Sequence, residues 1–165
     1  MDAIKALKTR QSNRKFLPYS IDLKIIEDIL DCARLAPSAM NRQGWHFVAV
    51  DDKDLKKKVA DATMYGKFLA DAPVAICVFG ETGDYIVEDC AAATENILLA
   101  ATAHDLGCCW VAGYKKPHSG DISKLLNAPK NYELVSLVAI GQVKEQAGRA
   151  EKKPLADVMS YNKFE

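Results

Sequence analysis

Several familiar signatures of catalysis are missing from these 165 residues. No G-x-G-x-x-G follows a strand pattern, and there is no G-x-x-x-x-G-K-[ST], H-E-x-x-H or G-x-S-x-G. Those absences exclude the common dinucleotide-fold, P-loop, zinc-protease and serine-hydrolase readings. The three histidines, His46, His104 and His118, are scattered without metal-ligand spacing, and His46 beside two aromatics reads as a packed residue. Five cysteines (Cys32, Cys77, Cys90, Cys108, Cys109) form no C-x-x-C pair, and each lies in an apolar neighbourhood. A zinc site or a disulfide framework is therefore not expected, and reduced, buried thiols are. No metal site is expected elsewhere.

Charge of one sign is also lacking. Lys plus Arg and Asp plus Glu stand at 22 each, so no net field favours nucleic acid or an anionic membrane. No apolar run approaches the ~20 residues that span a bilayer. Met1-Asp-Ala-Ile-Lys5 has no signal-peptide core, so a cytoplasmic protein is the expectation. If the chain is an enzyme, no nucleophile–base pair is visible, and the difficult chemistry falls to a cofactor that the protein grips and polarises.

What is present is strong patterning. Apolar residues at 49% and charged residues at 27% fit a globular chain that can be read as one domain over residues 1–165. Residues 2–9 form a short amphipathic pattern with Ile4 and Leu7 on one side. Ile25, Ile26, Ile29, Leu30 and Ala33 mark the buried face of a helix capped by Ser20 or Asp22 and stopped by Pro37. Residues 45–50 alternate as a strand. Asp54–Ala62 reads as a lysine-rich solvated helix, and Met64–Asp71 as a further helix. Pro73–Phe79 is a continuous apolar run, the mark of a strand buried on both faces. Asp84–His104 is the longest helix, capped by Asp84 and ended by Gly107. It is apolar on nearly all sides, which suits a central helix or, the preferred reading, one in a subunit interface. Cys108–Tyr114 is a strand and turn, Ser119 caps a short helix, and Glu133–Val143 is the clearest strand. About five helices and four or five strands result.

Two stretches carry more polar side chains than connection requires. In Arg10-Gln-Ser-Asn-Arg14, residues 10, 12 and 14 alternate, so an extended backbone points both guanidiniums and the hydroxyl the same way. That set suits a phosphate; a solvated basic turn is the competing reading. Ala36-Pro-Ser-Ala-Met-Asn-Arg-Gln-Gly-Trp-His-Phe47 places Ser38, Asn41, Arg42 and Gln43 between a helix and an aromatic strand start. A loop that holds a polar ligand has this profile, and so does an ordinary helix-to-strand connection.

Three segments, in order, resemble the nitroreductase family of FMN-dependent oxidoreductases. Arg10-Gln-Ser-Asn-Arg14 is similar to the family's R-x-S-x-R. Ala33-Arg-Leu-Ala-Pro37-Ser38-Ala-Met-Asn41-Arg-Gln43-Gly-Trp45-His-Phe is similar to A-x-x-A-P-S-x-x-N-x-Q-P-W-x-F. Glu95-Asn96 through Gly107-Cys-Cys-Trp110 is similar to E-N-x-x-L-A-A-x-x-x-G-L-G-x-x-W. The resemblance implies an α+β fold, with a central, mostly antiparallel sheet packed by helices. It implies an intertwined homodimer with two FMN sites at the interface.

By the same resemblance Arg10, Gln11 and Ser12 hold the FMN phosphate and ribityl chain, with further phosphate contacts from Arg149, Lys152 or Lys153. Arg14 is the catalytic candidate, a cation near flavin N1 and O2. Pro37, Ser38, Ala39, Met40, Asn41 and Gln43 line the cofactor from the other subunit, and Val111, Ala112 and Gly113 lie near its N5 edge. Tyr65 and Lys67 fall close to a further flavin-contacting position. The implied activity passes electrons from NADH or NADPH through FMN to a nitro compound, quinone or similar small acceptor, by a ping-pong mechanism. A flavin-binding carrier or sensor without nicotinamide turnover, or a specialised relative, is the alternative. Gly44 replaces the family's proline, which implies a looser entry to the strand, and Ala39 replaces a common serine. The short stretches after Phe79 and Gly113 imply an open, shallow substrate site.

Overall fold

Two apolar runs with no polar face to turn toward water become the middle of the sheet. β2 (Val74–Glu81) is buried along all but its last residue, and β4 (Tyr132–Gly141) is buried from Leu134 onward. β1 (Trp45–Val50) and β3 (Gly107–Ala112) keep exposed positions and flank them. The order is β1-β2-β4-β3, and every neighbouring pair is antiparallel. The structure is a computed structural model that describes residues 1–148 and 150–164.

Alternation along the strands divides the core into two layers. Val74, Ile76, Val78, Val138 and Ile140 meet α2 (Leu23–Arg34) and α4 (Ile86–Ala103) on one face. Ala75, Cys77, Phe79, Leu137 and Ala139 meet α3 (Lys53–Ala62), α5 (Ser119–Leu125), Leu69 and Phe16 on the other. A β-bulge at Val78/Phe79 shifts the β2–β4 register. α4 lies between the sheet and α2. Its one buried hydroxyl, Thr94 Oγ1, donates to or accepts from Ser136 Oγ of β4 at 2.7 Å, which fixes the helix against the strand. α1 (Ala3–Thr9) leaves Ile4 and Leu7 more than half exposed.

The α+β class and the antiparallel sheet agree with what the resemblance implies, and the five α-helices and four strands among the described residues agree with the pattern of the sequence. Local details differ. Asp22, not Ser20, caps α2, its carboxylate accepting from Lys24 N at 2.9 Å. Residues 64–71 are not a helix but contain a single 3-10 turn, Lys67–Leu69. The buried Thr63 hydroxyl donates to Ala60 O and accepts from Gly66 N, so a side chain takes up the backbone groups that a helix would need. Asp84 does not cap α4, whose first residue follows Tyr85 without a side-chain cap. Ser119 does not cap α5 either, because its hydroxyl donates to Gly113 O. The α3 lysines are not all solvated. Lys56 is buried, its Nζ donates to Pro73 O at 2.9 Å, and burial pulls its pKa down against the pull of Asp51, Asp52 and Asp71. His46 is exposed, with its ring edge-on to Tyr132 at 6.1 Å.

All five cysteines are free thiols. Burial pushes Cys77, Cys90 and Cys108 up to about 12 from an ordinary value of 9. The unfolded chain therefore releases these protons first. Their stabilising effect is complete below about pH 9 and is lost as pH rises toward 12. Urea unfolding at pH 8 and pH 10.5 should show the fall, and Cys77→Ala should reduce its slope.

Candidate functional site

The Arg10–Arg14 segment is pinned to the sheet as an extra edge beside β3. Ser12 bridges Cys108 in parallel, and Asn13 N donates to Cys108 O at 2.8 Å. Further along, Phe16 bridges Val143, Leu17 N donates to Gln142 O, and Lys144 N donates to Lys15 O. The segment is thus extended, and its side chains alternate as the spacing predicts. Asn13 turns inward and is buried. Arg10, Ser12 and Arg14 share the opposite side, around the Cys109 thiol. Burial raises the pKa of that thiol, while Arg14, a hydrogen bond from Ser12, and Arg10 oppose the rise. The Arg14 guanidinium lies over the Phe68 ring at 5.7 Å.

Close approach depends on two glycines that face each other across the β3–β4 ladder, Gly107 and Gly141. A Cβ on Gly107 would overlap Val143 Cγ2 and stand 3.0 Å from Asn13 Cβ. A Cβ on Gly141 would stand 3.0 Å from Phe16 Cδ1 and 2.5 Å from Pro73 Cδ. Gly107 is therefore not the helix stop. Asp105, at φ 57°, makes the left-handed turn after α4, and Gly107 is a strand residue without positive φ.

The donor set fits an anionic cofactor. Neither Arg10 nor Arg14 makes an ion pair among the described residues, although the chain as a whole has one acid for every base. Gln11, between them, has a buried Oε1 without a hydrogen-bond partner. Two cations without counter-charges, a hydroxyl and an unsatisfied amide in five residues match a phosphate with its polar chain.

The second loop is tightly built. Met40, Asn41 and Gln43 all carry φ near +53°. Such geometry costs about 1–3 kcal/mol per residue, least for Asn, and persists where surrounding contacts impose it. Ser38 Oγ accepts from Gln43 N at 3.0 Å, Asp89 Oδ1 accepts from Ala39 N at 2.9 Å, and Gly44 O accepts from Glu81 N at 2.8 Å. Gly44 does not loosen the loop. It has no positive φ, and its carbonyl is tied to β2. Pro37, Met40, Asn41 and Gln43 are exposed, while Ser38 and Ala39 are half-buried.

These two halves do not meet in one chain. The Ser12 segment lies beyond β3, and the Pro37–Gln43 loop feeds β1 at the opposite edge, four strand spacings or about 19 Å away. They are also offset along the strands. Cys108 is level with Val74 through Ile140, whereas Trp45 is level with Gly80, about 20 Å further along β2.

The third group is mixed. Val111 is half-buried on the α3/α5 side, and Ala112 is exposed with its carbonyl bonded to the His118 ring at 3.0 Å. Gly113 is buried against β4, where its N–H donates to Val135 O. Lys152 and Lys153 are exposed and form no ion pair among the described residues, and Arg149 lies outside those residues. Tyr65 is exposed, and Lys67 Nζ donates to Asp61 O at 2.8 Å. Three residues that position the site escaped the sequence reading: Gly107 as a spacer, Asp89 and Asn96. Asn96 Nδ2 donates to Cys32 O at 3.0 Å, which satisfies a carbonyl at the end of α2 just before the loop. Its place in the Glu95-Asn96 motif was the available signal.

The two glycine environments generate opposite expectations. Gly107→Ala should destabilise the fold by about 1–3 kcal/mol and displace the arginine segment. Gly44→Ala meets nothing closer than Glu81 Cβ at 3.4 Å and should be neutral, or stabilising by up to about 1 kcal/mol through the unfolded state. Thermal unfolding of the two variants checks both.

Comparison with known proteins agrees with this architecture. The sequence pattern of the Nitroreductase family matches residues 7–67 and 62–142. The chain is 38% identical over 152 residues to a protein of Archaeoglobus fulgidus named "Putative NADH dehydrogenase/NAD(P)H nitroreductase", covering 88% of this chain and 87% of that protein. A solved structure named "FMN-dependent Nitroreductase" from Clostridium difficile superposes with a TM-score of 0.90 at 27% identity, covering 98% of this chain and 99% of the other. An iodotyrosine deiodinase of Thermotoga neapolitana is 26% identical over 183 residues, covering 95% of this chain and 96% of that protein. From the order of its motifs, its sheet and these matches, the chain belongs to the nitroreductase family of oxidoreductases.

Proposed function

We propose that the protein is an FMN-dependent NAD(P)H oxidoreductase that works as a homodimer, each FMN being held between two copies of the chain. The observation that carries this reading is the separation of the two polar segments. Arg10–Arg14 has unpaired cations and an unsatisfied amide, and the strained Pro37–Gln43 loop is rigidly presented, yet the two lie at opposite edges of one sheet. A second copy related by a two-fold axis completes two equal sites from the same pair of surfaces. Residues 1–165 act as one unit in this arrangement.

Unpartnered apolar side chains support the dimer. Ile4 and Leu7 of α1 are exposed, and so are Leu155, Val158, Tyr161 and Phe164 of the tail. Apolar groups in that number mark a surface covered by a partner. The exposed Lys152 and Lys153 of the tail, or Arg149, which lies outside the described residues, add phosphate contacts in this reading.

Bound in this cradle, FMN would supply two-electron chemistry between NADH or NADPH and a nitro compound, quinone or similar acceptor in a ping-pong cycle. The chain supplies grip and charge. Arg10 and Ser12 hold the phosphate end, and the free Gln11 Oε1 accepts from a hydroxyl of the ribityl chain. Arg14, stacked on Phe68, offers a fixed positive charge where negative charge accumulates, and it needs no reorganisation to do so. Pro37, Ser38, Ala39, Met40, Asn41 and Gln43 form the opposing wall. The backbone of Val111, Ala112 and Gly113 borders the reacting edge, with Ala112 O restrained by His118.

Purified protein should be yellow, or turn yellow on adding FMN, and should bleach anaerobically with NADH or NADPH. Protein that refuses FMN would sink the proposal, and flavin that binds but is never reduced by nicotinamide would point to a carrier. Arg14→Ala should slow flavin reduction about 10²-fold at full occupancy, whereas Arg10→Ala should act on FMN affinity. Stopped-flow reduction and a flavin titration separate the two effects.

A further inference from the structure

We propose that Asp89, in the first turn of α4, is a positioning residue that holds the Pro37–Gln43 loop in its cofactor-facing shape. The inference rests on the reading of that loop as one wall of the flavin site, and adds a residue fifty positions away in sequence that touches no cofactor.

The loop needs outside support, because its own backbone disfavours its shape. Met40, Asn41 and Gln43 are left-handed, and none is glycine. Within the loop, Ser38 Oγ accepts from Gln43 N, Asn41 O accepts from Gln43 Nε2, and one short turn bonds Asn41 N to Ser38 O and Arg42 N to Ala39 O. The remaining restraints come from outside. Asn96 secures the end of α2, Glu81 N secures Gly44 O, and Asp89 Oδ1 accepts from Ala39 N at 2.9 Å. Asp89 makes the only side-chain hydrogen bond to residues 37–43 from another element among the described residues, and its contact immediately precedes the first left-handed residue. Because Asp89 and Asn96 are seven residues apart on α4, they lie on one helical face, and the helix braces the loop at two levels. The bond is charge-assisted and partly buried, the kind that fixes geometry most firmly.

Asp89 also lies in the first turn of an 18-residue helix, where any carboxylate opposes the helix dipole. A loss of stability on removing it would therefore not identify the clasp. Glu88, its exposed neighbour in the same turn, shares the dipole role but makes no loop contact, so Glu88→Ala is the control.

The test compares Asp89→Ala, Asp89→Asn and Glu88→Ala in the full-length protein by amide hydrogen exchange without cofactor and by FMN titration. Asp89→Ala should accelerate exchange at Ala39 and across residues 39–43 and weaken FMN binding about tenfold. Asp89→Asn, which retains an acceptor oxygen, should recover most of both, and Glu88→Ala should change neither. Unchanged exchange at Ala39 in Asp89→Ala would overturn the clasp, and faster exchange with unaltered FMN affinity would overturn its role in positioning. Should the parent protein fail to bind FMN, the functional reading falls together with the positioning role, while the exchange arm still decides whether the clasp exists. If Asp89→Ala does not fold, Asp89→Asn against Asp89→Leu gives the same comparison, and equal exchange and affinity in that pair would overturn the proposal.

Discussion

The site depends first on a close approach between backbones. The N-terminal segment can lie against the end of the β3–β4 ladder only because Gly107 and Gly141 leave no side chain in the way. With that gap open, Asn13 and Phe16 pack inward while backbone hydrogen bonds in two bridges fix residues 12–17. Arg10, Ser12 and Arg14 are then turned outward together by the simple alternation of an extended chain. A side chain at Gly107 would push away the same atoms that hold the arginines in register.

The opposite wall is built by a different principle. Met40, Asn41 and Gln43 occupy backbone conformations that their side chains disfavour, so their shape must be imposed by neighbours. Those neighbours belong to rigid elements, the first turn and middle of α4 and the end of β2. α4 in turn is held to the sheet through apolar packing and the Thr94–Ser136 hydroxyl pair. One half of the cradle is thus an edge strand with small residues beneath it, and the other is a strained loop with a helix behind it. Both rest on the same four-stranded sheet.

The cysteines and histidines illustrate how a chemically capable residue can be structural. Cys77, Cys90 and Cys108 are driven toward the neutral thiol by burial, which makes them packing groups at neutral pH. Cys109 lies among two arginines and a serine, yet burial still raises its pKa. His104 pairs with Asp28 at 2.7 Å and links α4 to α2, and His118 restrains the end of β3. None of these roles requires a metal, and the described residues contain no cluster able to bind one. No helix among them is long and apolar enough to cross a membrane.

The α+β class with its antiparallel sheet came from the resemblance of three motifs to a family, while apolar runs and helical spacing determined the buried strands β2 and β4, the buried face of α2 and the length of α4. These follow from burial and periodicity, which are local properties of the chain. The alternation of Arg10, Ser12 and Arg14 was likewise readable, since an extended backbone fixes side-chain direction without further information. Caps at Asp84 and Ser119, the helix at 64–71 and the solvation of Lys56 were not: Ser119, Thr63 and Lys56 bond to other partners, and α4 begins one residue too late for Asp84 to be its cap. Tertiary structure alone decided what Gly107 is for, that Asp89 reaches Ala39, and that the two polar segments lie at opposite corners of one sheet. Those facts depend on which strands become neighbours, and neighbour relations arise from packing the whole chain rather than from any one stretch of it.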